Sequence, residues 1–323
     1  SRQSSWVQSQ RFAYVAVPVS SRTIMEEKLE VALYVVATPI GNRGDITTRA
    51  LELLAQVDVV AAEDTRNTLG LLQSYGISAR LIAVHDHNER HAADGIVKLL
   101  SEGQSVALVS DAGTPGISDP GAIVVAAVSR AGYRVVPVAG VSAVIAAVSA
   151  SGEGQGGFLF HGFLPTKTGD RRRALEEARQ WCQRYPVVFY ESPHRIVESI
   201  SDMADVLGEA QEIVICRELT KKFETIQRLA LGDAVAWLTS DPNQQRGELV
   251  LVLAKSSPNE QDESASANEQ LTRTLTPLLA ELPLKQAVQL AVAITGLKKN
   301  EVYSHALRLK GGGVVGGALD DAS

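Results

Sequence analysis

Between positions 106 and 121 the chain reads Val106-Ala107-Leu108-Val109-Ser110-Asp111-Ala112-Gly113-Thr114-Pro115-Gly116-Ile117-Ser118-Asp119-Pro120-Gly121. The apolar run at its start is typical of a buried strand, and the loop that follows holds three glycines and two prolines. Such a loop is rigid and has little side-chain bulk, so a ligand can approach its backbone closely. Ligands of open α/β sheets bind outside the carboxyl ends of the strands. The stretch therefore predicts an α/β domain with a small-molecule site after this strand.

Two further loops have the same position after a strand. The apolar run 33–37 leads into Thr38–Asp45, and Ala139–Ala143 opens a helix after another strand. The first of these loops lacks the G-x-G-x-x-G spacing of a dinucleotide-binding site. It also lacks the lysine of a phosphate-binding P-loop, so the sequence argues against both kinds of nucleotide site. Asp111 and Asp119 instead suit a ribose hydroxyl pair or a cationic amino group. The pattern favours S-adenosylmethionine over ATP.

The rest of the chain alternates short β-rich runs with helical periodicity, which is typical of crossover connections and parallel sheets. The predicted strands of the first half are 33–38, 57–62, 80–84, 105–110 and 134–138. In the second half we predict strands at 158–163, 187–191, 212–217, 224–231 and 248–254, and helices at 170–183, 194–207 and 232–239. From residue 212 onward the short spacings favour antiparallel pairing.

These patterns predict six segments. They are an N-terminal extension at 1–30, with Met25 as the natural start, an α/β domain at 31–150, a second α/β domain at 151–255, a polar linker at 256–268, a helical module at 269–310 and a flexible tail at 311–323. The glycine-rich loop 151–157 marks the boundary between the two α/β domains. The module resembles a helix-turn-helix, and a helix pair that docks on the body explains it equally well.

Composition narrows the class of protein. Hydrophobic residues make up 45% and charged residues 21% of the 323 residues, as in ordinary soluble proteins. The net charge of −6 argues against a general nucleic-acid coat protein but leaves local basic clusters open. The two cysteines, Cys182 and Cys216, form no metal-ligand spacing, and no apolar run is long enough for a membrane span. We expect a cytoplasmic protein without a resident metal and without DNA as a partner.

Several motifs together resemble one family. They are Ala37–Asn42 with Gly44-Asp45-Ile46, Ala62-Glu63-Asp64-Thr65-Arg66, Ser110–Gly121, Gly162–Pro165, Phe189–Arg195, Arg217–Lys221 and Gly247–Val252. This succession is similar to the bacterial small-subunit (16S) ribosomal RNA cytidine-2′-O-methyltransferases of the tetrapyrrole-methylase superfamily. The resemblance covers about 33–254 and extends through the helical module. Arg43 and Ala139-Gly140-Val141-Ser142 depart from the usual family pattern, yet they keep its glycine and serine.

The resemblance implies two α/β domains with a cofactor cleft between them, a small C-terminal helical module and a homodimer. It implies S-adenosylmethionine as the cofactor, bound by Pro39, Ser110, Asp111, Ala112, Ile117, Ser142, Ala143 and, from the second domain, Phe163. The implied activity is 2′-O-ribose methylation of a decoding-centre cytidine in 16S ribosomal RNA of the small subunit.

A ribose hydroxyl is a poor nucleophile, so a base or a nearby cation should assist the transfer. The candidates are Glu63, Asp64, Lys167 and Glu191, and the sequence does not single out the base. For Glu63 and Asp64 a structural role is an equal alternative. In that case Asp64 or Thr65 caps a helix, and Glu63 pairs with Arg66.

The candidate RNA-binding residues are cations near predicted strand ends and in one dense cluster: Arg66, Arg171, Arg172, Arg173 and Arg195. Phosphate contact by such side chains is the usual way in which a protein is positioned on nucleic acid. The segment His85-Asp86-His87-Asn88-Glu89 looks like a metal cluster, but substrate contact or helix capping by Asn88 explains it better. Two other functions stay open: methylation of a small tetrapyrrole-like substrate, and a catalytically silent S-adenosylmethionine-binding protein that docks on ribosomes.

Overall fold

The structure is a computed structural model that describes residues 29–256 and 260–311, with the side chains of 271–309 in the second range. The proposed start at Met25, most of the predicted extension 1–30 and nearly all of the tail 311–323 lie outside the described residues. The end of the extension, Leu29 and Glu30, belongs to the first domain. Leu29 packs against its core, and Glu30 forms an ion pair with Arg134.

The first sheet consists of five parallel strands in the order β3-β2-β4-β1-β5. They are β1 (Ala32–Val36), β2 (Val59–Ala62), β3 (Leu81–Ala83), β4 (Val106–Val109) and β5 (Arg134–Val138). The strands β2 and β4 are buried on both faces, as parallel strands between two helical layers must be. In β1, Leu33 faces one core cluster while Tyr34 faces the other. All five strands overlap the predicted ones.

The helices of this part are α1 (Thr48–Leu54), α2 (Thr65–Ser74), α3 (Glu89–Ser101), α4 (Ala122–Arg130) and α5 (Ala143–Ser151). Thr47 is the N-cap of α1, and its hydroxyl accepts a hydrogen bond from the Ala50 amide at 3.1 Å. Asp45 lies in a short 3₁₀ turn, Arg43–Asp45, that precedes it.

The second sheet has the order β6-β7-β10-β8-β9. Its strands are β6 (Leu159–Phe163), β7 (Val187–Glu191), β8 (Glu212–Arg217), β9 (Thr225–Ala230) and β10 (Leu249–Leu253), with helices α6 (Thr168–Cys182), α7 (Ile196–Leu207) and α8 (Leu231–Ser240) and a 3₁₀ turn at Pro242–Gln245. Only β6 and β7 pair in parallel, while β8, β9 and β10 are antiparallel to their neighbours. The predicted antiparallel pairing after residue 212 is therefore confirmed.

The C-terminal part contains helices α9 (Glu260–Glu281), α10 (Leu284–Thr295) and α11 (Lys299–Gly311), which share a small core that includes Leu275, Ala291 and Val302. Gly296 ends α10 with a left-handed φ of 71° and begins the short turn to α11. The linker prediction for 256–268 is wrong from Glu260 onward, because helix α9 begins there. A third helix thus precedes the two predicted ones.

The chain divides into two compact units, of which the first ends at Ala146 and also takes in Glu218–Glu224. The second unit comprises Ala147–Arg217 and the chain from Thr225. The segment 218–224 lies within the range that the sequence assigns to the second domain. Among the helices described, none is both long and apolar enough to span a membrane.

Candidate functional site

Three loops of the first unit meet at the carboxyl ends of β1, β4 and β5. Thr38 and Gly113 exchange two backbone hydrogen bonds of 2.9 Å, and the Thr38 hydroxyl donates to the Ser110 carbonyl at 3.1 Å. The Thr114 hydroxyl donates to the Val141 carbonyl at 2.9 Å. Thr38–Asp45, Ser110–Gly121 and Ala139–Ala143 therefore form one connected surface, as their sequence positions predict.

The Ser110–Gly121 loop alternates buried anchors with exposed backbone. Ser110 and Gly113 are buried, whereas Asp111, Ala112 and Ile117 are exposed, Ile117 to 42%. Gly113 has a φ of 84°, and a Cβ there would lie 3.5 Å from the Ile40 side chain. A side chain at this position would therefore strain the backbone where the loops touch. The loop is held rigidly and presents its main chain outward.

A residue that the sequence prediction missed anchors the far end of this loop. Glu89, the first residue of α3, is buried, and its Oε1 accepts hydrogen bonds from the Gly121 amide at 2.8 Å and the Ile123 amide at 2.9 Å. It thus satisfies amides at the amino end of α4. Its only sequence signal was its place at the end of the segment 85–89, which resembles a metal cluster.

Carboxylates concentrate on one side of the three loops. The Asp111 amide donates to Glu63 Oε2 at 3.2 Å, while Asp111 Oδ1 accepts from the Asp64 amide at 3.1 Å and Oδ2 accepts from Asn67 Nδ2 at 2.8 Å. These bonds join the end of β2 to the end of β4. Asn67, one turn into α2, was also missed, because nothing in its neighbourhood marks it as a partner of Asp111.

Two acids of this group, Glu63 and Asp119, have raised pKa values. Burial raises the pKa of Glu63, the charges of Asp111, Asp86 and Asp64 add to the increase, and the hydrogen bond from the Asp111 amide opposes it. Burial, together with the charges of Glu63, Asp111 and Asp86, raises the pKa of Asp119 to about 6. This edge therefore attracts a cation and repels a phosphate.

The donor set fits S-adenosylmethionine, which carries a positive sulfonium, an amino group and a ribose hydroxyl pair. Asp111 and Asp119 supply carboxylates, and the exposed main chain at Ala112 and Ile117 supplies amides and carbonyls. Ser142 and Ala143 are half-buried at the start of α5. Pro39, within the Thr38–Asp45 loop, is buried.

The neighbouring acid, Asp64, has a structural role. It is the N-cap of α2, since its Oδ1 accepts from the Arg66 amide at 2.8 Å, and its Oδ2 lies 3.0 Å from Arg66 Nη2. These bonds lower its pKa to about 2, which makes it a weak base. The capping alternative is thus correct for Asp64, but the partner of Arg66 is Asp64 rather than Glu63.

In the second unit, the candidate base Glu191 is buried and fully engaged. Its Oε1 lies 2.8 Å from Arg195 Nη2 and accepts from the Ser192 amide at 2.6 Å, while Oε2 accepts from the Ser199 hydroxyl at 2.6 Å. Both carboxylate oxygens therefore bond to groups inside the protein, and the side chain is fully buried away from any substrate. The structure therefore contradicts the prediction of Glu191 as a base and assigns Arg195 to an ion pair.

Phe163 and Lys167 both stay accessible in this unit. Phe163 ends β6, is 54% exposed, and packs edge-on against Tyr190 with ring centroids 5.4 Å apart. Lys167 is exposed at the N-cap position of α6. Both residues remain candidates for the roles that the sequence predicts.

The predicted arginine cluster is corrected by the structure. Arg171 is fully buried, with its guanidinium bonded to Asp202 at 2.6–2.7 Å, to Glu198 and to the Thr166 carbonyl. Arg172 is paired with Asp202 and Asp205, and only Arg173, paired with Asp170, is largely exposed. Arg171 therefore ties α6 to α7 and is not available to a phosphate.

The histidine segment after β3 forms a turn that leads into α3. Within the described residues no group of three or more His, Cys, Asp or Glu side chains is arranged to hold a metal ion. Asn88 occupies the N-cap position of α3 without capping it; its side chain accepts from the His85 amide at 2.8 Å and donates to the Ala83 carbonyl at 3.1 Å. It stabilises the turn that carries His85.

Comparison with known proteins identifies the family and the fold. Residues 32–235 match the family of Tetrapyrrole (Corrin/Porphyrin) Methylases, and residues 265–310 match the RsmI C-terminal HTH domain. Among solved structures, the methyltransferase CobJ (TM-score 0.52, 18% identity, 70% of this chain and 94% of that one) and a cobalamin biosynthetic enzyme, cobalt precorrin-4 methyltransferase CbiF (TM-score 0.51, 19% identity, 69% and 94%), share the fold.

Similarity to curated proteins covers nearly the whole fold. Ribosomal RNA small subunit methyltransferase I of Escherichia coli O157:H7 is 49% identical over 279 residues, or 86% of this chain and 96% of that protein. The proteins of the same name from Vibrio cholerae (50% identity, 85% and 94% coverage) and Pseudomonas aeruginosa (49%, 86% and 98%) are equally similar. The chain therefore belongs to the ribosomal RNA small subunit methyltransferase I family, whose members are S-adenosylmethionine-dependent methyltransferases of the tetrapyrrole-methylase fold.

Proposed function

We propose that this methyltransferase modifies the ribosomal RNA of the small subunit, and that its target is the ribose 2′-oxygen of a decoding-centre cytidine in 16S ribosomal RNA. The structural support for the proposal is the acidic edge formed by Glu63, Asp111 and Asp119, because its negative charge complements a cationic methyl donor. The curated relatives, whose name specifies ribosomal RNA, support the substrate class. The cytidine and its 2′-oxygen rest on the motifs of the sequence.

The cofactor supplies an electrophilic methyl group, and the protein has to align the attacking oxygen with it. The residues proposed to hold the cofactor in the first unit are Pro39, Ser110, Asp111, Ala112, Ile117, Ser142 and Ala143. The charge of the sulfonium falls as the methyl group leaves, and the hydroxyl oxygen must lose its proton to a base or to water.

Glu63 is the best of the proposed bases. Its raised pKa brings its proton affinity closer to neutrality, where general bases work best, and it is only half-buried at the end of β2. Asp64 is a weaker base, and Glu191 is engaged in the interior. Lys167, exposed on α6, is proposed as the cation that lowers the pKa of the hydroxyl or holds a phosphate.

Arg66 is the proposed RNA contact of the first unit. Its side chain is 89% exposed, and it lies two residues after Asp64, the acid that caps α2. An ion pair this exposed is weak because water screens it, so a phosphate can replace Asp64 as the partner of Arg66. Arg173, exposed on α6, is the remaining phosphate contact proposed from the original arginine cluster.

The test is methyl transfer from labelled S-adenosylmethionine to small ribosomal subunits from cells that lack this enzyme, followed by nucleoside analysis. We expect labelled 2′-O-methylcytidine or a derivative of it. Label on a base, or on another nucleoside, would refute the proposed target. Cofactor binding without transfer to subunits would favour a tetrapyrrole-like substrate or a silent ribosome-docking protein.

We further propose that the enzyme works as a homodimer in the cytoplasm. The homodimer follows from the family resemblance, and the location follows from its substrate. Light scattering coupled to size-exclusion chromatography should give about twice the 34.5 kDa mass of the chain, and a monomer mass would refute the dimer.

A further inference from the structure

The segment Glu218–Glu224, which we call the 218–224 loop, follows β8 in the chain but belongs to the first unit. Its Lys221 side chain crosses directly over Gly41. A Cβ built on Gly41 would lie 2.5 Å from both Cγ and Cε of Lys221, closer than any side chain tolerates. The 218–224 loop is therefore seated on Thr38–Asp45, one of the three loops of the candidate cofactor site.

The loop is held in one shape by its own hydrogen bonds. Glu218 and Thr220 have left-handed φ values of 52° and 67°, which are unfavourable for residues with a side chain. The Thr220 amide donates to Glu224 Oε2 at 2.6 Å, the Lys221 amide donates to the Glu218 carbonyl at 3.0 Å, and Lys221 Nζ donates to Glu218 Oε1 at 2.8 Å. These bonds hold the strained turn, so the loop does not need to be ordered by a ligand.

What the loop presents is an aromatic ring beside a cation. Phe223 is 66% exposed, the most exposed of the large hydrophobic residues described, and Lys222 Nζ lies 5.3 Å from its ring centroid. An aromatic face for stacking and a lysine for phosphate are the two elements with which proteins bind single-stranded nucleic acid. Within the loop Glu218 pairs with Lys221, and the exposed Glu224 accepts from the Thr220 amide, so Lys222 is the cation that lies beside the exposed ring.

We propose that the 218–224 loop binds an unpaired nucleotide of the substrate RNA, with the base stacked on Phe223 and a phosphate paired with Lys222. The inference rests on the proposed function, because it takes ribosomal RNA as the substrate. Because the 218–224 loop lies on Thr38–Asp45, the proposed contact with RNA lies beside the methyl-donor site, where an extruded nucleotide has to be held. Lys221 and Glu218 fix the loop, while Phe223 and Lys222 contact the RNA.

The experiment compares Phe223→Ala, Phe223→Trp and Lys222→Ala with the wild-type enzyme. Stacking of one base on an aromatic residue predicts that Phe223→Ala raises the KM for small subunits about 5- to 150-fold, whereas Phe223→Trp keeps it near the wild-type value. Lys222→Ala should weaken subunit binding and reduce the slope of log affinity against log salt by about one. The KM for S-adenosylmethionine should stay within twofold in all three variants.

Matched controls are Tyr185→Ala, an aromatic residue 40% exposed before the amino end of β7, and Lys98→Ala, an exposed lysine on α3. Neither should change the KM for subunits. An unchanged KM in Phe223→Ala would overturn the inference, as would the loss of activity in Phe223→Trp. A changed oligomeric mass in Phe223→Ala would assign the ring to a protein interface and overturn it as well.

Subunit binding, measured by filter retention, separates this inference from the proposed function. Wild-type enzyme that binds subunits but methylates a different atom would refute the proposed target, while weaker retention of Phe223→Ala would still support the RNA contact. Wild-type enzyme that retains no subunits would overturn both.

Discussion

Replacement of Asp111 tests whether the carboxylate binds the cofactor or only shapes the loop. Asp111→Asn keeps the size of the side chain and an oxygen that can accept from the Asp64 amide, now at 3.1 Å. Its amide nitrogen would face Asn67, whose own amide can rotate to present oxygen in place of the nitrogen that now lies at 2.8 Å. The loop geometry should therefore survive while the negative charge is lost.

The expected loss of affinity follows from the kind of bond removed. A hydrogen bond to a charged group contributes about 1.5–3 kcal/mol, so Asp111→Asn should raise the Kd for S-adenosylmethionine about 10- to 150-fold. The unliganded protein should not lose stability, because Asp111 lies in a group of like charges with Glu63 and Asp86. Asp111→Ala also leaves the Asp64 amide and Asn67 without their acceptor and should abolish measurable binding.

Isothermal titration calorimetry with S-adenosylmethionine measures these affinities, and thermal unfolding without cofactor shows whether the fold survives. Asp94→Asn, an exposed acid on α3, is the matched control and should bind normally. Normal affinity in Asp111→Asn together with lost affinity in Asp111→Ala would mean that the residue only supports the loop. Normal affinity in both would remove Asp111 from the cofactor site.

Three further predictions concern groups whose surroundings the structure defines. Arg171→Ala breaks a buried ion pair and should cost about 3–5 kcal/mol of stability, whereas the exposed Arg173→Ala should change it by less than about 0.5 kcal/mol, both measured by urea unfolding. Because the folded protein raises the pKa of Asp119 from 3.8 to about 6, its carboxylate lowers stability as pH rises through this window. Asp119→Asn should therefore raise the melting temperature at pH 7.5 but not at pH 3.5. Equal melting temperatures of the wild type and the variant at pH 7.5 would contradict this stability prediction. Calorimetry of the wild type should also show weaker cofactor binding below about pH 6. Glu191→Gln should lower stability by about 1–3 kcal/mol while the turnover rate of the folded enzyme stays within twofold, and a turnover rate reduced by about two orders of magnitude without unfolding would restore it as a catalytic residue.

The sequence predicts the two sheets well because their strands carry strong local signals. In β4 and β10 apolar residues run unbroken, and in β1 and β2 they lead directly into polar loops. The site loops were predictable for the same reason, since the ends of parallel strands meet at one edge of a sheet whatever the details of packing. The hydrogen bonds that Glu89 accepts and Asn67 donates join elements far apart in the chain, and no local sequence pattern predicts such contacts.

Arg171 shows where local reading of charge fails. It shares a helical stripe with Ala174, Leu175, Ala178 and Cys182, all buried, so the period of α6 already places it on the inner face. The density of the arginine run favours a phosphate-binding surface, but the period of α6 indicates burial for its first member. The acids that make the burial possible, Glu198 and Asp202, lie one turn apart on α7, and their match to α6 is a property of helix packing.

The start of α9 was missed for a different physical reason. The stretch from Glu260 is polar and low in apolar residues, a composition that usually cannot bury enough surface to order a chain. The helix nevertheless continues to Glu281, where its second half buries Leu271 and Leu275 against α10 and α11. Packing at one end of a helix thus supports polar turns at the other, and composition within a short window does not detect this.

Glu63 and Glu191 show why position after a strand does not determine chemical role. Both acids stand at the end of an apolar strand, and their local sequences rank them equally as bases. Glu191 meets a guanidinium and two other donors inside the protein, so its charge is neutralised where it lies. Burial raises the pKa of Glu63, the charges of neighbouring acids add to the increase, and a single amide hydrogen bond opposes it. Only the second arrangement leaves a carboxylate that gains by taking up a proton or by facing a cation, and this is the requirement for a base beside a positively charged methyl donor.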